Sequence, residues 1–167
     1  MCFTRSAVID LGTNTFNLLI MDIGSKGRYK IIFKEELDVK LGEGSINKNM
    51  ISPAAFRRGL DALKKHKATI DSYEVETIDA LATSAIRSAK NGANFIERAL
   101  KETGIQIHTI PGEEEASIIY HGVKLAGLLE KEPSLIMDIG GGSTEFILAD
   151  NSNIYIGNKV SISELPE

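Results

Sequence analysis

A chain of 167 residues with 43% apolar and 25% charged content can bury a sizeable core and reads as a globular protein of one or two domains. Its net charge of -4 argues against specific nucleic-acid binding, which needs a basic face, but leaves phosphate ligands open because backbone amides and Mg2+ supply positive potential locally. No apolar run approaches the roughly 20 residues of a membrane span, and Met-Cys-Phe-Thr-Arg at the start lacks a signal peptide's apolar stretch, so the expected compartment is the cytoplasm.

In chain order, the single cysteine, Cys2, has no disulfide partner and no neighbouring His or Cys, and reads as incidental. Residues 6 to 41 read as three strands of an antiparallel meander, with Gly24-Ser-Lys-Gly27 turning between the second and third. The third runs from Arg28 to Leu41 and ends at Gly42-Glu-Gly44. Ser52-Pro53 is a cap followed by proline at the first helical position. The helix it opens should run to about residue 71, with Phe56, Leu60, Leu63 and Ile70 on its apolar face. Arg57, Arg58, Lys64, Lys65 and Lys67, beside His66, form the other face; a polyanion track is one reading, and an ordinary solvated face is the preferred one. A strand over 76–82 leads into Thr83 to Lys90. A helix from Asn91 to Thr103 should bury Phe95, Ile96, Ala99 and Leu100 and close at Gly104. Strand 105–110 follows, and after Pro111-Gly112 a helix from Glu113-Glu-Glu115 to about Glu130 carries Ile118, Ile119, Val123, Ala126 and Leu129 at helical spacing. The order is βββαβαβα, then a further pair of strands.

That last pair is Ser134-Leu-Ile-Met-Asp-Ile-Gly-Gly-Gly-Ser-Thr-Glu-Phe-Ile-Leu148: strand, carboxylate, glycine turn, strand. Three glycines bring bare backbone N–H groups close to a ligand, and phosphate oxygens are the usual acceptors. Asp138 and Glu145 then suit a divalent cation or its waters. The plain alternative is a hairpin whose glycines merely tolerate positive φ. Ala7-Val-Ile-Asp-Leu-Gly-Thr-Asn-Thr-Phe16 follows the same plan, with Asp10, a Gly12 turn and the hydroxyls of Thr13 and Thr15. A duplicated strand–Asp–Gly-turn–strand unit favours two loops serving one ligand.

The topology is that of actin, sugar kinases and the 70-kDa chaperones, an α/β actin-like ATPase (ribonuclease H-like) domain. Within it, Asp10-Leu-Gly-Thr-Asn-Thr15, Lys40-Leu-Gly-Glu-Gly44, Ala82-Thr-Ser-Ala-Ile-Arg87, Ile110-Pro-Gly-Glu-Glu-Glu-Ala116 and Asp138-Ile-Gly-Gly-Gly-Ser-Thr-Glu145 closely resemble the exopolyphosphatase and guanosine pentaphosphatase (Ppx/GppA) family over residues 6 to about 149. The resemblance implies hydrolysis, dependent on Mg2+ or Mn2+, of the terminal phosphate of inorganic polyphosphate or of the 5′ γ-phosphate of guanosine pentaphosphate, in a cleft between two domains. Gly140, Gly141 and Gly142 with Ser143 and Thr144 would cradle phosphate on one side, and Gly12, Thr13, Asn14 and Thr15 on the other. Arg87 would fork onto phosphate oxygens, its alternative being a structural salt bridge. By resemblance the general base falls on Glu114, in a helix first turn that dipole stabilisation alone would also make acidic. Asp138 and Glu145 are the expected metal ligands; Asp10 is a metal neighbour or a turn stabiliser.

Family members run to about twice this length, so the chain is expected to be a fragment: a first domain over 1–131 and the start of a second over 132–167. Beyond Ala149 the match fades, although Ile154 to Ile156 stay strand-like. A second-domain β-unit without its helices leaves apolar edges uncovered, which predicts pairing with a partner chain, a homodimer being expected, or poor order near the C-terminus. A non-catalytic phosphate or nucleotide sensor on the same scaffold is the alternative from another class, and an intact Glu114 counts against it.

Overall fold

A computed structural model describes residues 3–43 and 49–161, with side chains described as far as 157. Cys2, Gly44 of the Lys40-Leu-Gly-Glu-Gly44 block and residues 162–167 lie outside the described residues. The chain divides into two compact units, Met1–Thr109 and Ile110–Glu167. That boundary precedes the helix at Gly112, whereas the sequence division at 131/132 keeps this helix with the first sheet.

The first unit contains β1 (Phe3–Leu11), β2 (Thr15–Gly24), β3 (Tyr29–Asp38), α1 (Pro53–Ser72), β4 (Thr77–Ala82), α2 (Ser84–Ser88), α3 (Gly92–Thr103) and β5 (Ile107–Thr109). Its sheet has the order β3-β2-β1-β4-β5, antiparallel across β3-β2-β1 and parallel across β1-β4-β5. Alternate residues Ala7, Ile9 and Leu11 of β1 and Phe16, Leu18 and Ile20 of β2 are buried, the period-2 signature of strands with one core face. Against them pack Ala55, Leu60, Leu63 and Ile70 of α1 and Phe95 and Ala99 of α3. The Phe95 ring meets Phe56 and Phe16 edge-on, with centroids 5.1 and 6.4 Å away. A Cβ on Gly59 would stand 2.8 Å from the Phe95 ring, so a glycine in α1 makes room for it. The helix starts where the sequence placed it, with Ser52 Oγ accepting from Ala55 N at 3.3 Å and Pro53 at its first position.

Four details differ from the sequence reading. The strand β3 ends at Asp38, because Val39 to Leu41 leave it through Lys40 at φ 49. The imidazole of His66 belongs to the core side of α1, fully buried, rather than to the basic face. Leu100 is 46% exposed, since the buried stripe of α3 runs through Phe95, Ala99 and Thr103, and Leu100 lies one residue round from it. A short helix, α2 (Ser84–Ser88), forms within the stretch from Thr83 to Lys90. Of the basic residues, Arg58, Lys64, Lys65 and Lys67 are ion-paired, to Glu43, Glu102, Glu35 and Asp71.

The second unit contains α4 (Gly112–Leu125), β6 (Ser134–Ile139), β7 (Ser143–Ala149) and β8 (Ile154–Ser161), the strands forming an antiparallel sheet in the order β6-β7-β8. Ala116 and Tyr120 of α4 pack on Ile147 and Ala149 of β7. The helix stops at Leu125, short of the expected Glu130, where Gly127 turns the chain at φ 71. Leu135, Met137 and Ile139 of the edge strand β6 are exposed. Asp150 shapes the turn into β8: its Oδ1 accepts from the amides of Ser152 (2.6 Å) and Asn153 (2.7 Å) and its Oδ2 from the Tyr155 hydroxyl (2.5 Å). The Tyr155 hydroxyl, then the amides, hold the Asp150 carboxyl below its usual range. No helix among the described residues is long and apolar enough to cross a membrane.

Candidate active site

The two glycine turns close with the same backbone hydrogen bond. In the first unit, Leu11 pairs with Phe16 and Asp10 with Asn17 across the hairpin, and Gly12 N donates to Thr15 O at 3.0 Å. In the second, Ile139 pairs with Thr144 and Asp138 with Glu145, and Gly140 N donates to Ser143 O at 2.9 Å. A Cβ on Gly12 would lie 2.9 Å from Thr15 O, and one on Gly140 3.2 Å from Ser143 O. Neither glycine has positive φ; among described residues the glycines that do are Gly27, Gly104 and Gly127. A hairpin needing glycine only for a left-handed φ is therefore ruled out at both turns; close backbone approach excludes a side chain at Gly12 and leaves little room for one at Gly140.

The first turn is also held from outside. Asn14 O accepts from Val39 N (2.8 Å) and Lys40 N (2.7 Å), and Thr13 O accepts from Leu41 N (2.8 Å). In a trans peptide the N–H points opposite the preceding C=O, so the amides of Asn14 and Thr15 face away from this strap. Arg87 stands near the C-terminus of α2, half-buried. Thr83, which precedes α2, brings its amide and hydroxyl each 3.4 Å from Leu11 O, tying the Ala82-to-Arg87 block to the residue before Gly12.

The register partners Asp138 and Glu145 project from one face of the β6–β7 pair. Asp138 is exposed, while Glu145 is 2% exposed and Ser143 is buried. Two hard carboxylates on one face suit Mg2+, which binds through one or two carboxylates and keeps its remaining waters or phosphate oxygens. No group of three or more His, Cys, Asp or Glu with metal-holding geometry occurs among the described residues. Glu114 is exposed in the first turn of α4, between Pro111 at the cap and the buried Ala116.

The first unit thus holds Asp10, Gly12, Thr13, Asn14, Thr15 and Arg87. Glu114, Asp138, Gly140, Gly141, Gly142, Ser143, Thr144 and Glu145 share the second. Sequence reasoning missed two groups close to the first turn. The Arg58 guanidinium donates to the strap carbonyls, and His66 Nε2 lies 3.4 Å from Phe16 O. His66 Nδ1 is 3.3 Å from Glu35 Oε2. Burial holds the imidazole below its usual value, outweighing the pull of the Phe16 carbonyl and Glu35. The spacing was a usable signal, since His66 lies three residues after Leu63 and four before Ile70 on the buried stripe.

Comparison with known proteins fits this arrangement. The family model described as the Ppx/GppA phosphatase family matches residues 19–162. A bifunctional 3-dehydroquinate synthase/phosphatase of Fusobacterium nucleatum is 41% identical over 166 residues, covering 94% of this chain and 24% of that protein. The crystal structure of an exopolyphosphatase from Cytophaga hutchinsonii superposes with a TM-score of 0.91 at 42% identity, covering 95% of this chain and 51% of that one. For a Ppx/GppA family member from Aquifex aeolicus the TM-score is 0.82 at 30% identity, covering 96% and 52%. The chain thus spans about half the length of these solved relatives, and its fold is the actin-like ATPase type. On the extent of the family match and the likeness to these structures, the chain belongs to the Ppx/GppA phosphatase family.

Proposed function

We propose that this chain supplies phosphate-gripping and water-activating residues for a phosphoanhydride hydrolase that releases the terminal phosphate of inorganic polyphosphate. The observation that carries this is the repeated turn: Gly12–Thr15 and Gly140–Ser143 close with the same hydrogen bond, and the backbone approaches the first glycine closely in both. Family membership and the exopolyphosphatase of Cytophaga hutchinsonii support the reaction class.

Phosphoanhydride hydrolysis asks a protein chiefly to position its substrate and neutralise charge. Amides of Asn14 and Thr15 and of the Gly140–Gly142 turn, with the hydroxyls of Thr13, Thr15, Ser143 and Thr144, bind phosphate oxygens. The Arg87 guanidinium adds a charged fork. Asp138 and Glu145 would hold Mg2+, which supplies charge neutralisation to the phosphates when bound. Glu114 accepts a proton from water as the water oxygen bonds to the terminal phosphorus. The bridging P–O bond breaks, and the shortened polyphosphate leaves with the bridging oxygen. Glu114 belongs to the exposed first turn of α4, open to a water molecule.

The test is phosphate release from long-chain polyphosphate, guanosine pentaphosphate and ATP by the full-length protein, with Mg2+ and with EDTA. Polyphosphate should be cleaved fastest, and only with the metal. Faster release from guanosine pentaphosphate would move the substrate to the nucleotide, and tight binding with no release from any of the three would identify a sensor.

A further inference from the structure

Lys40 to Gly42 and the Arg58 side chain have no part in the chemistry so far, yet that stretch borders the first turn and Arg58 bonds to the stretch. We infer that Arg58 is a positioning residue for the phosphate cradle at Gly12–Thr15, a role that rests on the proposed phosphate function of that turn. When β3 ends at Asp38, the chain bends through Lys40 at φ 49 and runs along the turn as a strap. The strap takes the turn's two outward carbonyls: Val39 N and Lys40 N donate to Asn14 O, and Leu41 N donates to Thr13 O. It passes close enough that a Cβ on Gly42 would sit 3.0 Å from Thr13 Cγ2.

Beyond Asp38 the strap leaves the strand ladder; the side chains of Val39 and Leu41 are buried in the core, while its carbonyls need polar partners. Arg58 supplies the polar anchor beside that apolar one: its Nε donates to Val39 O at 2.8 Å, and its Nη2 to Lys40 O at 3.1 Å and Glu43 Oε2 at 2.7 Å. The residue stands on α1 between the buried Ala55 and Leu60, so the guanidinium is referred to the rigid core of the unit. The chain of contacts runs from helix to guanidinium, from guanidinium to strap carbonyls, and from strap amides to the Thr13 and Asn14 carbonyls. Fixing those two carbonyls fixes the direction of the Asn14 and Thr15 amides, because each pair shares one planar peptide. A planar fork reaches two successive carbonyls at once, and a lysine ammonium is a single point donor on a flexible stem. Misplacing a binding group by an ångström costs on the order of 100-fold in rate or affinity, so a distant anchor can matter to binding.

The experiment compares wild-type, Arg58→Met, Arg58→Lys and Glu43→Gln forms of the full-length protein. It measures hydrogen exchange of the Val39, Lys40 and Leu41 amides and the calorimetric affinity for Mg2+-tripolyphosphate. Arg58→Met should speed strap exchange by about tenfold or more, leave the Ile9 and Leu18 amides protected, and weaken tripolyphosphate by about 10- to 100-fold. Arg58→Lys should fall between Met and wild type, and it carries the comparison alone if the Met form does not fold. Glu43→Gln should match wild type, because that ion pair is solvent-exposed. Wild-type protection of the strap in Arg58→Met would overturn the anchoring. A loosened strap with wild-type affinity would overturn the positioning role while leaving the phosphate function standing. If wild-type protein binds no tripolyphosphate, that function fails too, and the exchange data still report whether Arg58 holds the strap.

Discussion

Gly12 N donates to Thr15 O at 3.0 Å across a gap that admits no side chain, since a Cβ on Gly12 would lie 2.9 Å from the same carbonyl. Gly140 and Ser143 repeat this relationship at 2.9 Å, with a hypothetical Cβ at 3.2 Å. Aligned on these bonds, Asp10 matches Asp138, but Asn17 stands where the second turn has Glu145. The paired carboxylates proposed for Mg2+ therefore belong to the second turn, and Asp10 has an amide as its register partner.

The clash distances rank two substitutions. Gly12→Ala pushes a methyl into backbone that cannot move cheaply and should destabilise by about 1–3 kcal/mol. Gly140→Ala needs only a few tenths of an ångström of relief and should cost less. Urea unfolding of each variant measures the order, and a Gly140 variant that loses more stability than the Gly12 variant would contradict it.

Much of the fold was legible because it follows from periodicity. Alternation in β1 and β2, the Ser52-Pro53 start and the stripe through Phe95 and Ala99 all report burial directly. The strap was not, because its bonds join Thr13 and Asn14 to residues some two dozen positions away, and no local pattern encodes such a pairing. Its motif was noticed at Lys40-Leu-Gly-Glu-Gly44 without a physical role. The close backbone approach at Gly12 and Gly140 was equally hidden, since a glycine in sequence does not say whether it serves φ or space. His66 was misplaced because five cations around it suggested a solvated face, although its spacing from Leu63 and Ile70 already put it inside.

That buried histidine makes stability depend on pH. Desolvation holds the folded imidazole below its usual value near 6.5, against the opposing pull of Phe16 O and Glu35, with Lys65 paired to the same Glu35. The unfolded chain takes the proton first as pH falls, so the stabilisation is complete above about 6.5 and is lost progressively below it. Urea midpoints measured between pH 7.5 and about 5 should fall on acidification, and His66→Gln should flatten that slope. The Asp22 and Glu102 carboxyls, held low by Arg5 and by Lys64 with Arg98, stabilise the fold throughout this range and lose that contribution only in more acidic solution. An unchanged slope in the variant would exclude His66 as the group responsible.

Tyr120 offers a test of packing in the second unit. Its hydroxyl is buried against β7 with no hydrogen-bond partner among the described residues. Leaving such a group unsatisfied costs about 1–3 kcal/mol, so Tyr120→Phe should raise the melting temperature. A lower melting temperature would reveal a partner for the hydroxyl.

The proposed chemistry stands most directly on Glu114. Phosphate release from long-chain polyphosphate by full-length wild type and Glu114→Gln, with Mg2+-tripolyphosphate binding measured in parallel, separates water activation from phosphate grip. Binding should remain within about twofold while release falls by about 100-fold or more, the range general-base removal produces. Release at the wild-type rate in Glu114→Gln would contradict the assignment.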